Sequence, residues 1–168
     1  MFSYSGFGNS TGTPTAKNLS EDVLAAYEQF VSLTRNSKRR IALTHSLGGG
    51  VLLDVAAELR PLPDKLIIHG PAASIRSVLL DGGLASESLV WLWPDVYNSA
   101  ARVKELKMPI LYVHSKNNQT SSYRHSLKLM AASGDNADLL LLDDYGHNAI
   151  YENVSDTLYQ PILAFIDK

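Results

Sequence analysis

Ser46, His147 and Asn118 are the polar residues of this 168-residue chain whose settings best suit acyl-transfer chemistry. Ser46 follows the apolar run Ile41-Ala42-Leu43 and precedes Leu47-Gly48-Gly49-Gly50. A buried strand passing straight into a helix there would lift the hydroxyl above the C-terminal edge of a sheet. The backbone N–H of Leu47 would then point to where an oxyanion forms. Small residues suit so tight a turn, which accounts for Gly48 and, by extension, Gly49. The plainer alternative is a glycine-rich helix start with an incidental serine. His147 lies in Asp143-Asp144-Tyr145-Gly146-His147-Asn148, behind the apolar run 139–142. An imidazole at that strand end could act as general base toward Ser46 and then as general acid toward a leaving group. A lone His-Asn pair is otherwise an ordinary surface loop.

A third group must orient the imidazole. It should follow the apolar run 110–113, on the loop 114–120, but that loop contains no Asp or Glu. Asn118 takes the place. Its carbonyl oxygen can accept from an imidazole N–H, yet it brings no full charge and its amide can favour the wrong tautomer. The corresponding Asp-to-Asn change in a serine protease costs about 10⁴ in turnover. Asp81, Asp95, Asp143 and Asp144 are the alternative acids, each also readable as a solvated loop charge.

These residues need a sheet whose strands end together. The short apolar runs 41–43, 66–68, 110–113 and 139–142 read as buried strands, with residues 1–5 as a weaker fifth. Helical patterns separate them. Ser20 is placed as an N-cap, with Leu19 and Leu24 at staple positions and Val23, Tyr27, Phe30 and Val31 on one face. Leu47, Val51, Leu52, Val55 and Leu59 repeat the pattern until Pro61 stops it. Val154, Leu158, Ile162 and Phe165 share a side of the last helix. The alternation implies an α/β fold, a three-layer αβα sandwich around a mostly parallel sheet of about five strands. Residues 1–168 read as one domain. Residues 74–104 form a small cap-like insertion with helical pieces near 75–80, 84–93 and 99–106, and Trp91, Trp93 and Tyr97 are candidates to line an acyl or aromatic pocket, the plainer alternative being that they pack the cap onto the sheet.

Composition removes several other classes. Fifteen basic against seventeen acidic residues give a net charge of −2, which argues against a broad nucleic-acid face. The absence of cysteine excludes disulfides, thiolate zinc sites and a cysteine nucleophile. No apolar run approaches the roughly 18 residues of a membrane span. The first residues lack the pattern of a secretory signal, so a cytoplasmic setting is favoured. His69, His114 and His125 have no metal-ligand spacing, and no cofactor is implied. Gly48-Gly49-Gly50 at a helix start would suit a phosphate, but neither Gly-Lys-Ser/Thr nor an early G-x-G-x-x-G accompanies it. Sequons at Asn9, Asn18, Asn118 and Asn153 reflect a Ser/Thr-rich composition.

Four motifs in order resemble the α/β-hydrolases, specifically the serine aminopeptidase-like and Bem46-like α/β-hydrolase-domain group. Tyr4-Ser5-Gly6-Phe7-Gly8-Asn9-Ser10-Thr11-Gly12 resembles that group's D-Y-R-G-[FY]-G-x-S-x-G stretch. Thr44-His45-Ser46-Leu47-Gly48-Gly49 resembles its G-H-S-L-G-G nucleophile elbow. Met108-Pro109-Ile110-Leu111-Tyr112-Val113-His114 resembles the strand before the acid, and Gly146-His147-Asn148 its terminal G-H-N. The resemblance covers nearly the whole chain. It implies a truncated α/β-hydrolase fold, Ser46 as nucleophile, His147 as base, Leu47 N–H as one oxyanion donor and Asn118 at the acid position.

The departures are Thr44 and Ser115 in place of glycines, Asn118 in place of Asp, and Ser5 in place of Arg. The family has about three further strands ahead of the part matched here, one leading to a second oxyanion donor. That strand sits between the two matched by residues 1–5 and 41–44, so these are expected to pair directly; otherwise the edge stays open to another chain or a second copy. The implied activity is hydrolysis of an ester, thioester or amide in a small-molecule acyl substrate through an acyl-enzyme. The alternative is a shortened, catalytically impaired member that binds a ligand or partner.

Overall fold

The computed structural model describes residues 2–148 and 155–168. Met1, Asn153 and Val154, each used in the expectations above, lie outside the described residues. The chain forms α1 (Ala16–Leu33), β1 (Ile41–His45), α2 (Leu47–Val55), β2 (Lys65–His69), α3 (Ile75–Asp81), α4 (Ser99–Arg102), β3 (Ile110–Ser115), α5 (Arg124–Ser133), β4 (Ala137–Leu142) and α6 (Asp156–Asp167). The strands make one parallel sheet in the order β1-β2-β3-β4.

Strand periodicity divides the core in two. Leu66, Ile68, Ile110 and Tyr112 face one side, where α1, α2 and α5 deliver Leu19, Val23, Val51, Leu52 and Leu129. Ile67, Leu111, Val113 and Leu142 face the other and meet Leu158, Ile162 and Phe165 of α6. The three layers expected from the sequence are therefore present. Lys65 is buried because its Nζ donates to the carbonyls of Phe165 (2.6 Å) and Ile166 (3.1 Å), binding the last turn of α6 to the start of β2. A cation suits the negative end of a helix dipole.

Several boundaries differ from expectation. α1 begins at Ala16, with Thr15 as N-cap accepting from Asn18 N–H; Ser20 lies inside the helix and donates to Asp54 Oδ2. Thr15, extended behind Pro14, outcompetes Ser20 for the cap. α2 ends at Val55, before the run to Leu59 is complete. Within 84–93 only a single 3₁₀ turn forms, at Val90–Leu92. α5 has no counterpart among the helical patterns read from the sequence, because its apolar face is interrupted by His125 and Ser126, which are buried there as polar partners.

Among the described residues the sheet has four strands, not five. Residues 2–5 form no strand, because their polar anchors lie on α1: Ser5 donates through N–H (2.6 Å) and Oγ (3.0 Å) to the Asp22 carboxylate. Tyr4 packs on the core at the α1 side, and the chain turns at once into Gly6. The direct pairing with residues 41–44 is thus corrected: among the described residues β1 pairs with β2 alone. Along its other side runs an apolar groove of about 870 Å³, bordered by Phe2, Tyr4, Phe30, Leu33 and Leu43.

β2 and β3 carry buried histidines at their C-terminal ends. Burial first, then neighbouring histidines, holds His69 down to about 3. His114 is held at about 4, again chiefly by burial. Both are neutral in the folded protein at pH 7 and protonate near 6.5 once unfolded. Their depressed values leave stability unaffected above pH 6.5 and lower it as pH falls toward 4, because the unfolded chain then binds protons that the folded one does not. The loss amounts to at most about 1.4 kcal/mol per group per pH unit. Urea unfolding between pH 7 and 4 is expected to show this decline, with a shallower slope in His69→Leu; equal slopes would refute it.

Candidate functional site

Ser46 is the single residue between β1 and α2, and its backbone stands at φ 53, ψ −123. A non-glycine residue there is strained by about 1–3 kcal/mol and persists only because its surroundings hold it. Ser46 N–H donates to His69 O (2.9 Å), continuing the β1–β2 ladder, and Gly49 N–H donates to Ser46 O (3.0 Å), opening the helix. The expected reason for the glycines needs correcting. A Cβ on Gly48 would meet only Tyr4 Oη at 3.7 Å, whereas one on Gly49 would lie 2.8 Å from Ile68 Cγ2. Gly49 lets α2 cross β2 closely, and that approach fixes the turn; it also leaves room for Thr44, whose Oγ1 would sit 3.5 Å from such a Cβ. Gly50 is likewise filled against, by Tyr97. With Gly49 and Gly50 buried as packing surfaces, the phosphate-cradle reading loses its basis. Leu47, first residue of α2, carries one of the N–H groups that a helix leaves without an internal acceptor.

The structure brings Ser46, His147 and Asn118 together. His147 Nε2 lies 2.8 Å from Ser46 Oγ. Its Nδ1 faces the Asn118 amide, 2.9 Å from Nδ2 and 3.2 Å from Oδ1. The amide's orientation follows from its loop, since Oδ1 accepts from the backbone N–H of Thr120 and of Ser121, both at 2.9 Å. Turning the amide over would press its NH₂ against two N–H donors. So Nδ2 is the group that His147 meets. It donates to Nδ1, which places the neutral ring's proton on Nε2. Burial, and then His45, hold the His147 pKa below its ordinary value, so the ring is neutral at pH 7.

Residues around this trio set its geometry. His45 donates from Nε2 to the His147 carbonyl (2.9 Å), and its ring stacks on His69 at 4.8 Å. Gly70, at φ 57, passes under the imidazole; a Cβ there would come within 3.4 Å of His147 Cε1. His114 Nε2 bonds to Ser121 O (2.9 Å) and Nδ1 to Ser126 Oγ (2.8 Å), bracing the loop that holds Asn118. His69-Gly70 and His114 could have been flagged in the sequence as histidines closing apolar strands; their mutual contacts could not.

The alternative acids are engaged elsewhere. Asp81 pairs with His125 (3.0 Å), Asp95 accepts from Asn98, Asp143 from Lys116 and Asp144 from Asn117. Trp91 is 64% exposed and Trp93 39%, and neither faces the site; of the three candidate aromatics only Tyr97 does.

No family model matches the chain. It is 29% identical over 150 residues to the alpha/beta hydrolase domain-containing protein aho-3 of Caenorhabditis elegans, covering 89% of this chain and 43% of that protein. The chain spans about half the length of the curated relatives it matches. An esterase of Pyrococcus furiosus superposes with a TM-score of 0.75 at 14% identity, over 99% of this chain and 68% of the esterase. The esterase domain of a Rhodothermus marinus protein does so with a TM-score of 0.67 at 22% identity, over 97% and 69%. No helix among the described residues is long and apolar enough to cross a membrane. A parallel sheet flanked by helices, with sequence relatives named for that superfamily and esterases among its structural neighbours, is the α/β-hydrolase fold in a four-stranded form.

Proposed function

We propose that the protein is a serine hydrolase that cleaves an ester, thioester or amide through an acyl-enzyme on Ser46. The observation that carries this reading is the 2.8 Å contact between Ser46 Oγ and His147 Nε2 at the shared C-terminal edge of the sheet. In the reaction Oγ attacks the acyl carbon while its proton passes to Nε2. Leu47 N–H steadies the oxyanion, the imidazolium returns the proton to the leaving group, and water repeats the sequence to release the acid.

Asn118 sets the rate at which this can start. Nε2 accepts a proton only when its lone pair is free, which requires the neutral ring to carry its proton on Nδ1. Asn118 offers that N–H only Oδ1, at 3.2 Å and already shared by two loop N–H groups. A productive encounter therefore begins from a minor tautomer, and the imidazolium finds no carboxylate. The second reading, an impaired hydrolase-fold protein that binds a ligand or partner, rests on this same amide orientation.

Labelling with a fluorophosphonate separates the two readings. Modification of wild type that is lost in Ser46→Ala supports hydrolysis; folded protein that resists the probe supports the binding reading. Asn118→Asp keeps an acceptor for Thr120 and Ser121 and gives His147 a charged one. It is expected to raise turnover of a short acyl ester tenfold or more, up to about 10⁴. An unchanged rate with the fold intact removes Asn118 from the orienting position. In wild type, turnover should fall on acidification at a lower pH than an unperturbed histidine would give, because His147 must be neutral and its pKa is depressed. In Asn118→Asp that fall should move to higher pH, as the carboxylate stabilises the imidazolium; pH–rate profiles of both proteins check the pair of expectations.

A further inference from the structure

Beside Ser46 lies a second, smaller cavity of about 150 Å³, walled by Leu47, Ala72, Ile75, Val78 and Tyr97. Its wall is assembled from two directions. Tyr97 is buried and seats its ring on α2, where a Cβ on Gly50 would stand 3.2 Å from Tyr97 Cβ. Ile75 and Val78 come from α3, whose start is capped by Ser74 and whose end is tied to α5 by the Asp81–His125 pair. Tyr97 and α3 thus supply the apolar wall of a cavity that stays partly open, with Tyr97 buried and Ile75 and Val78 half-buried. Its lining includes Ser46 but, among the described residues, not His147. A leaving group must sit against the imidazole that protonates it. The substituent on the other side of the acyl carbon is then the one directed into this space.

We infer that this cavity is the acyl subsite and that it limits the substrate to short acyl groups, up to about six carbons or a single aromatic ring. The inference rests on Ser46 being the nucleophile and adds the class of acyl group to that reading. Size sets the limit: an apolar cavity of roughly 150 Å³ stays dry and takes up benzene, a six-carbon guest. Longer chains meet Tyr97 and α3. Val78 and Ile75 thereby become specificity-determining residues, with residues 74–81 serving as the wall of the insertion expected from the sequence.

Hydrolysis of p-nitrophenyl acetate, butyrate, hexanoate, benzoate and laurate tests the limit. In wild type, kcat/KM is expected to peak at butyrate, hexanoate or benzoate and to fall at least tenfold at laurate. Val78→Phe, which fills the cavity, should lower the hexanoate-to-acetate ratio about tenfold; Val78→Ala should raise the laurate-to-hexanoate ratio. A flat profile, or ratios insensitive to both variants, overturns the subsite while leaving Ser46 chemistry standing. A binding measurement separates failure of the chemistry from failure of the subsite. Hexanamide binding to folded Ser46→Ala, followed by ligand-observed NMR, should be lost when Val78→Phe is added. Binding that survives the double change, or that is absent from Ser46→Ala, overturns the subsite whether or not any ester is turned over.

Discussion

The close crossing of α2 over β2 is the constraint on which the rest of the site depends. Gly49 is the contact point, with no space for a Cβ against Ile68. Because the helix axis is pressed onto the sheet there, the chain must reverse within one residue after β1. The residue that makes the reversal is Ser46, in a left-handed backbone conformation that only glycine adopts without strain. The bonds from Ser46 N–H to His69 O and from Gly49 N–H to Ser46 O lock it at both ends. The result is a hydroxyl with little freedom of approach, held at the edge where β2, β3 and β4 also terminate. Parallel pairing makes that edge common to all four strands, so loops distant in sequence converge on one point.

The polar network laid over this turn is built largely of imidazoles and one amide. His45, His69, His114 and His147 crowd one another, and for His69, His114 and His147 burial is the largest cause of a lowered pKa. No carboxylate reaches His147 among the described residues: Asp81, Asp95, Asp143 and Asp144 are all engaged elsewhere. Asn118 fits such surroundings, since a neutral amide avoids burying a charge. Pinned by two loop N–H groups, its amide presents a donor to His147 Nδ1.

The open side of β1 reflects a balance decided at the N-terminal segment. Ser5 instead gives both its N–H and its hydroxyl to the Asp22 carboxylate, an acceptor that makes stronger hydrogen bonds than a neutral carbonyl. The segment is therefore laid on α1. Leu43 remains about half exposed, and an apolar groove follows the strand.

Much of this was legible in the sequence because it depends on local chemistry. Continuous apolar runs marked the four strands, though only the central β2 and β3 are fully buried and the edge strands β1 and β4 stay partly exposed; their alternation with helical patterns gave the layered parallel sheet, and Ser46 and His147 stood out by their places behind such runs. Asn118 was found by position alone, as the polar residue where an acid was missing. Other features escaped because they are relations between distant residues. Gly49 rather than Gly48 is the contact glycine only because Ile68 lies beneath it. Thr15 displaces Ser20 as cap through its extended backbone, and α5 is hidden by buried His125 and Ser126. Which face of the Asn118 amide meets His147 is set by the Thr120 and Ser121 N–H groups, and the size of the cavity by Tyr97 meeting Gly50. Residue type and spacing determine which groups exist and which strand ends carry them. Close packing and hydrogen-bond direction exist only once the chain has folded, and these decided how each group is aimed.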